Sequence, residues 1–399
     1  MSKIRMGMIG GGPNAFIGAI HRMAALLDGE ISLVCGVFSQ DSLQSNEFGQ
    51  SLGLSAKRCY QDYDQMLSAE ALLPAPLRMQ FVVIVTPNNL HFPMAKLALQ
   101  RGFHVLSDKP ATLSVDQALM LQNIIGETNR LYGLTHTYNG YPMVKEAKHR
   151  VAQGQLGNIR KVVVEYSQDW LSSDNQGKQA KWRLDPAQAG ISCCMADIGV
   201  HAANLAEYIS GLEITDVCAQ LNSVIDGRVL DDDGAVLLKF NQTIPGVLIA
   251  SQVATGEENN LNIRIYGELA SIEWSQQQPD SLQIKYPNRS SELCRMGVGQ
   301  LADTTMANSR TPAGHPQGYI EAFANIYRAF GQQIRDFEQN QHQLEADVPG
   351  IDAALRGMRF IEAVVAASQS NIKWHKLPTS AQTAELTSTK VTKKELADA

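Results

Sequence analysis

The sequence predicts an α/β chain in two parts: an N-terminal doubly wound α/β domain, then a C-terminal α+β domain with a large, mostly antiparallel open sheet. Three observations carry this. Short apolar strands alternate with helical segments up to about residue 140, the pattern of a parallel sheet covered on both faces. After that point strand-like runs follow one another without helices between them, as in antiparallel sheets joined by turns. The 399 residues also exceed one ordinary domain.

Residues 4–10 form a short apolar strand ending in glycine, and 15–27 carry helical apolar spacing through Ile17, Ile20, Ala24 and Leu27. A second strand is expected at 31–38 and a helix at 41–53. Residues 80–86 are apolar on both faces, which marks a strand buried between helix layers. A helix at 92–101 stops at Gly102, a strand covers 104–106, and helix 114–129 leads to strand 131–136. In the second part a helix is expected at 142–154, a strand at 159–168, a polar loop at 171–190 and a helix at 193–210. Strands follow at 214–222, 234–240, 246–254, 261–267 and 270–275, then helices near 317–337 and 350–368. The expected boundaries are 1–138 and 139–378. The remaining 379–399, rich in Thr, Lys, Ala and Glu with little apolar content, is expected to be a poorly ordered tail.

Composition narrows the function classes. The chain is 44% hydrophobic and 19% charged, ordinary for a soluble globular protein. A formal charge of −6 gives no footprint for nucleic acid or an anionic membrane. No apolar run reaches the roughly 20 residues of a spanning helix. The N-terminus runs straight into a strand without the marks of a signal peptide, so a cytoplasmic location is expected. The six cysteines show no C-x-x-C spacing and read as buried reduced thiols, and no metal site is expected.

Gly10-Gly11-Gly12-Pro13-Asn14-Ala15 fits G-x-G-x-x-A between the first strand and the first helix. Gly10 permits the tight turn, Gly12 lets the backbone approach a pyrophosphate, and a small Ala15 allows close helix–strand packing. The helix N-terminus then faces the anion. In this context the turn predicts a dinucleotide-binding Rossmann domain. The second strand ends in Phe38-Ser39-Gln40-Asp41, with Ser39 where an NAD site usually offers an acid and no arginine beside it. NAD and NADP both remain open, with a slight lean to NADP.

Thr86-Pro87-Asn88 ends the most apolar strand and is placed against a cofactor, with His91 nearby; a plain strand-to-helix turn is the alternative. Lys109, in Ser107-Asp108-Lys109-Pro110, follows a parallel strand, and strand C-termini are where open α/β sheets bind ligands. It suits proton transfer, or equally a surface turn. Asp197 and His201 are spaced i, i+4 and share a face if helical, as a substrate-facing pair or as a solvated polar face. Asp231-Asp232-Asp233 reads as a turn.

Taken together and in order, the glycine turn, Thr86-Pro87-Asn88, Asp108-Lys109-Pro110, Trp182-Arg183 and Asp197-Ile198-Gly199-Val200-His201 resemble the Gfo/Idh/MocA oxidoreductases, from Ile4 to about Pro378. The resemblance implies reversible NAD(P)-dependent oxidation of a hydroxyl on a sugar, inositol or related polyol. It implies pairing through the open sheet as a homodimer or homotetramer. It makes Lys109 the catalytic lysine, Asp197 a holder of substrate hydroxyls, His201 the acid/base, and Tyr138, Trp182 and Arg183 borders of the substrate pocket. The chain departs from the family pattern at Asp108, where many members carry glutamate. It departs again at Thr137-Tyr138-Asn139-Gly140-Tyr141-Pro142, which lacks an arginine, and at Gly190-Ile191-Ser192-Cys193-Cys194. Two further functions fit the same resemblance: an enzyme that retains its cofactor through an oxidation–elimination–reduction cycle, and a non-catalytic nucleotide sensor.

Overall fold

The structure, a computed structural model, describes residues 2–13, 15–173, 177–340, 348–379 and 382. Asn14 and nearly all of 379–399 lie outside the described residues.

The first part is built from β1 (Ile4–Gly10), α1 (Phe16–Leu26), β2 (Ile31–Val37), α2 (Ser42–Ser51), α3 (Tyr63–Leu72), β3 (Phe81–Val85), α4 (His91–Gln100), β4 (His104–Ser107), α5 (Val115–Thr128) and β5 (Tyr132–Leu134). The five strands are parallel in the order β2-β1-β3-β4-β5. The chain reverses direction between β1 and β3, so their C-terminal ends open a crevice there, the usual ligand position in such sheets. β3 is buried along its whole length, as its two-faced apolarity requires.

The second part holds α6 (Pro142–Ala152), β6 (Ile159–Ser167), α7 (Lys178–Arg183), α8 (Pro186–Ala189), a π turn (Met195–Gly199) and α9 (Val200–Ser210). β7 (Ile214–Asn222), β8 (Asp233–Phe240), β9 (Ile244–Ser251), β10 (Asn260–Gly267), β11 (Ser271–Ser275), β12 (Ser281–Lys285) and β13 (Glu292–Arg295) follow. α10 (Asp303–Ala307), α11 (Tyr319–Glu338), α12 (Ile351–Ser368) and β14 (His375–Lys376) complete the chain. One nine-stranded sheet runs β13-β12-β11-β10-β6-β9-β8-β7-β14. All its pairings are antiparallel except β6 with β9. Burial alternates along β8, β10, β11 and β12, so one face packs on the helices and the other carries exposed Ala235, Leu237 and Ile249.

Two expectations need correction. The loop 171–190 contains two short helices, α7 and α8, the second started by Pro186 and capped by the Asp185 side chain. The helix expected at 193–210 begins as a π turn, because Val200 N–H bonds back to Met195 O, five residues earlier. α11, late in the chain, packs on the first sheet: Phe323, Tyr327, Phe330 and Ile334 share a core with Ile4, Met6, Phe81 and Leu106. Arg310 and Arg335 fasten this return by ion pairs to Asp28 (2.6 Å) and Glu30 (2.7 Å).

All six cysteines are free, with Cys35, Cys59, Cys193 and Cys194 buried and Cys218 and Cys294 half-buried. Among the described residues no helix is long and apolar enough to cross a membrane, and no group of three or more His, Cys, Asp or Glu is placed to hold a metal ion.

Candidate active site

The glycine turn leaves β1 with positive φ at Gly10 (88°) and Gly11 (67°). A Cβ on Gly10 would lie 2.1 Å from Val85 O, and one on Gly12 would lie 2.0 Å from Phe38 O. The turn therefore nests between the ends of β2 and β3, which leave no room for a side chain at Gly10 or Gly12. Gly11 N–H bonds Val85 O at 3.1 Å, and Arg22 from α1 donates to Gly11 O at 2.6 Å. Ala15 is the N-cap of α1, with Pro13 in the turn before it. A further close approach of α1 to the turn is made at Gly18, where a Cβ would sit 2.3 Å from Gly11 Cα. This backbone fits a dinucleotide pyrophosphate: a cradle without side chains, at the head of a helix.

At the end of β2, the Ser39 hydroxyl bonds Gln44 Oε1 at 2.8 Å. Asp41 caps α2 through Leu43 N and Gln44 N. Thr86 and Pro87 follow β3 at the crevice, but Asn88 donates across to Ala189 O (3.0 Å), tying this loop to α8. His91 turns both ring nitrogens to carbonyls, Nδ1 to Pro110 O (2.6 Å) and Nε2 to Thr86 O (2.9 Å). The Asn88 and His91 side chains thus act as ties between loops beside the crevice.

Lys109 leaves β4 in a short loop with a cis bond to Pro110. Its Nζ reaches Asp197 twice, at 2.8 Å to Oδ1 and 2.5 Å to the main-chain carbonyl. Arg183 Nε binds Asp197 Oδ2 at 3.1 Å, and Gln252 Nε2 binds the same oxygen at 2.8 Å. Burial alone would raise the Asp197 acid, but the charges of Arg183 and Lys109 outweigh it and hold the carboxyl well below the usual range. A carboxylate offers about four acceptor positions, so these three side-chain donors leave one, on Oδ1, for a further hydroxyl. Arg183 is aimed by two rings: its guanidinium lies 4.2 Å from Trp182 and 5.6 Å from Trp170.

The π turn that carries Asp197 is pinned by Asp231, whose carboxylate accepts from Cys193 N, Met195 N and Ser192 Oγ, each at 3.0 Å. The run Asp231–Asp233 thus has structural roles: Asp231 caps the start of the π turn and Asp233 opens β8. On the other side of Lys109, Asp108 accepts from Thr135 Oγ1 (2.8 Å) and stands 3.9 Å from His21 Nε2. Burial pushes this acid up, while the His21 ring and the Lys109 ammonium pull it down further, and the net effect is well below the ordinary value.

His201 sits in the first turn of α9 with Nδ1 3.4 Å from His136 Nδ1. The Tyr138 ring stands perpendicular to it at 5.0 Å. Burial first, then Lys109 and His136, push His201 well below its usual value and keep it neutral. The Tyr138 hydroxyl bonds Tyr166 and accepts from Asn259 Nδ2 at 3.2 Å. Trp182 Nε1 is held by Gln179. His136, Gln252 and Arg22 are site residues that the sequence reading missed. His136 stood directly before the flagged segment 137–142, and Gln252 at the end of a recognised strand; neither lies in a spaced motif.

A family model described as "Oxidoreductase family, NAD-binding Rossmann fold" matches residues 4–136, and one described as "GFO/IDH/MocA C-terminal domain" matches 144–273. The uncharacterized oxidoreductase YfiI of Bacillus subtilis is 30% identical over 379 residues, covering 93% of this chain and 96% of that protein. An inositol dehydrogenase homolog from Azotobacter vinelandii, solved with NAD+, is 32% identical with a TM-score of 0.91, covering 94% of this chain and 98% of that one. Its complex with NADH and myo-inositol gives 32% and 0.89 over the same shares. Two domain models in sequence order and full-length relatives agree with the geometry: the chain belongs to the Gfo/Idh/MocA oxidoreductases and is an NAD(P)-dependent enzyme.

Proposed function

We propose that the enzyme oxidises a secondary hydroxyl of a sugar, inositol or related polyol, reversibly, with Lys109, Asp197 and His201 at the reacting centre. The observation that carries this is the Lys109–Asp197 pair beside a neutral, buried His201. The myo-inositol complex of the Azotobacter relative supports the substrate class. A nicotinamide, when bound, supplies the hydride acceptor. The backbone of Gly10–Gly12 and the head of α1 would hold its pyrophosphate.

Asp197 Oδ1 takes one substrate hydroxyl, and Arg183 and Gln252 fix the carboxylate in place. His201 Nε2, opposite the nitrogen committed to His136, accepts the proton of the reacting hydroxyl. Lys109 Nζ stabilises the negative charge that develops on that oxygen. Trp170, Trp182 and Tyr138 supply ring faces that exclude water. The end of β2 presents a hydroxyl and the Asp41 carboxylate on the α2 amides, which suits a ribose diol better than a 2′-phosphate. This moves the slight lean to NADP towards NAD. The open face of the nine-stranded sheet is the proposed self-association surface.

The test is a spectrophotometric panel of sugars, inositols and sugar acids with NAD and NADP in parallel, on wild type and Lys109→Ala. We expect turnover by wild type, a kcat loss of about a hundredfold or more in the variant, and cofactor Kd nearly unchanged. Wild-type turnover by Lys109→Ala sinks the assignment. The absorbance of the protein as purified separates retained reduced cofactor from a freely exchanging one.

A further inference from the structure

His136 lies two residues beyond the end of β5 and is 1% exposed. Its neighbour Thr135 donates to Asp108, so two adjacent residues touch Asp108 and His201. The His136 and His201 rings cross at 84°, with the two Nδ1 atoms at the long end of hydrogen-bond distance. His136 Nε2 is buried without a hydrogen-bond partner among the described residues. The only polar contact of this ring among those residues is therefore the one it makes with His201.

Two imidazole nitrogens that face each other can share one proton: one ring donates and the other accepts. If His201 Nδ1 holds it, His201 Nε2 is bare and can act as a base. If His136 Nδ1 holds it, a neutral His201 carries its proton on Nε2 and can act only as an acid. The state of His136 therefore decides which role His201 is ready for.

We infer that His136 is a positioning residue for the acid–base step: it fixes the His201 ring and accepts from its Nδ1–H, leaving Nε2 bare for alcohol oxidation. This rests on the assignment of His201 as the base. When Nε2 takes the hydroxyl proton, the Nδ1–H···Nδ1 bond strengthens and spreads the new positive charge over two rings. In the reverse direction the same proton returns from Nε2 to the carbonyl oxygen, so no further reactant is consumed. Lys109, Asp108, Asp197 and Tyr138 are the other titratable groups around the pair. Burial, with Lys109 adding to it, holds His136 down to about 3, so the resting pair is neutral and its tautomer is the variable.

Nitrogen NMR of the 15N-labelled full-length protein reads the tautomer without turnover. We expect His201 protonated on Nδ1 and bare on Nε2 in wild type, with the two forms redistributed in His136→Leu. In kinetics, His136→Leu should lower kcat by about tenfold or more, leave substrate KM and cofactor Kd within about twofold, and shift the pH profile of kcat. His136→Asn, whose amide oxygen can replace the accepting nitrogen, should recover much of the loss. An unchanged kcat and pH profile in His136→Leu overturns the inference. So does a wild-type His201 that carries its proton on Nε2, and this result decides the matter if the leucine variant does not fold. If no polyol is oxidised by wild type, the substrate reading fails while the tautomer measurement still stands.

Discussion

Around the Asp197 carboxylate, two cations and one amide meet, and elsewhere in the fold four histidines lose their charge to burial. His91, His104, His136 and His201 are all pushed below 6.5, desolvation being the main cause each time. Asp108 and Asp197 are held below 3.8. In every one of these groups the unfolded chain binds protons that the folded chain refuses, so stability rises with pH across the interval between the two values. The contribution is complete above about pH 7 and is lost on acidification, first through the histidines and then through the two acids. Asp231, raised by burial, offsets part of the second loss. Calorimetry of the cofactor-free protein should show a Tm that declines below about pH 6.5 and more steeply below about 4; a Tm that climbs on acidification would contradict this. The convergence of Lys109, Arg183 and Asp197 is legible in the sequence because each stands in a short motif. His136 and Gln252 stay hidden because a residue that serves another across 65 or 55 positions leaves no local spacing. Asn88 and His91 are legible as residues of the loop beside the crevice, but not the bonds to backbone carbonyls that hold their side chains.

At the scale of elements, the strand-and-helix alternation of the first part is readable from periodicity, and strand bounds match within about three residues. Short β12, β13 and β14, and α3 with its weak apolar periodicity, are not. The π turn escapes because hydrophobic spacing of 3.6 residues does not register one extra residue in a turn; what sets it is Asp231, thirty-four positions from Asp197 in sequence but bonded to the turn's first amides. The glycine turn is legible, yet one of its close approaches comes from Gly18, outside the motif. Gly18→Ala would place a methyl 2.3 Å from Gly11 Cα, against backbone atoms that cannot swing away as a side chain could. Such overpacking should cost about 1–3 kcal/mol of stability, and by displacing the turn it should weaken cofactor binding more than it changes kcat. Chemical denaturation and cofactor titration check both parts.

For the whole molecule, the alternation of buried and exposed residues along the large sheet leaves Ala235, Leu237 and Ile249 uncovered on the strands β8 and β9, which pair with each other. If that face joins two copies, a charge at its centre should separate them. Leu237→Asp is expected to raise the dimer dissociation constant by about tenfold or more, read by sedimentation equilibrium, with the secondary structure unchanged. A variant that sediments like wild type would move the interface elsewhere. The split into 1–138 and 139–378 follows from where the sequence pattern changes, but pattern cannot show where a late helix docks. α11 has a strongly one-sided apolar face, and the partner of that face is the first sheet.

That return of α11 decides what can be moved between proteins. Phe330 lies 5.5 Å from Phe81 on the central strand of the nucleotide-binding sheet, and Tyr327 bonds His21 on the helix that follows the glycine turn. A gene fragment ending near residue 138 would carry the whole glycine motif and every strand of its sheet, yet expose the apolar trough that α11 covers. In this enzyme the cofactor module is contiguous in function but interrupted in sequence. Swapping it into a relative therefore calls for two crossovers, one after β5 and one flanking α11.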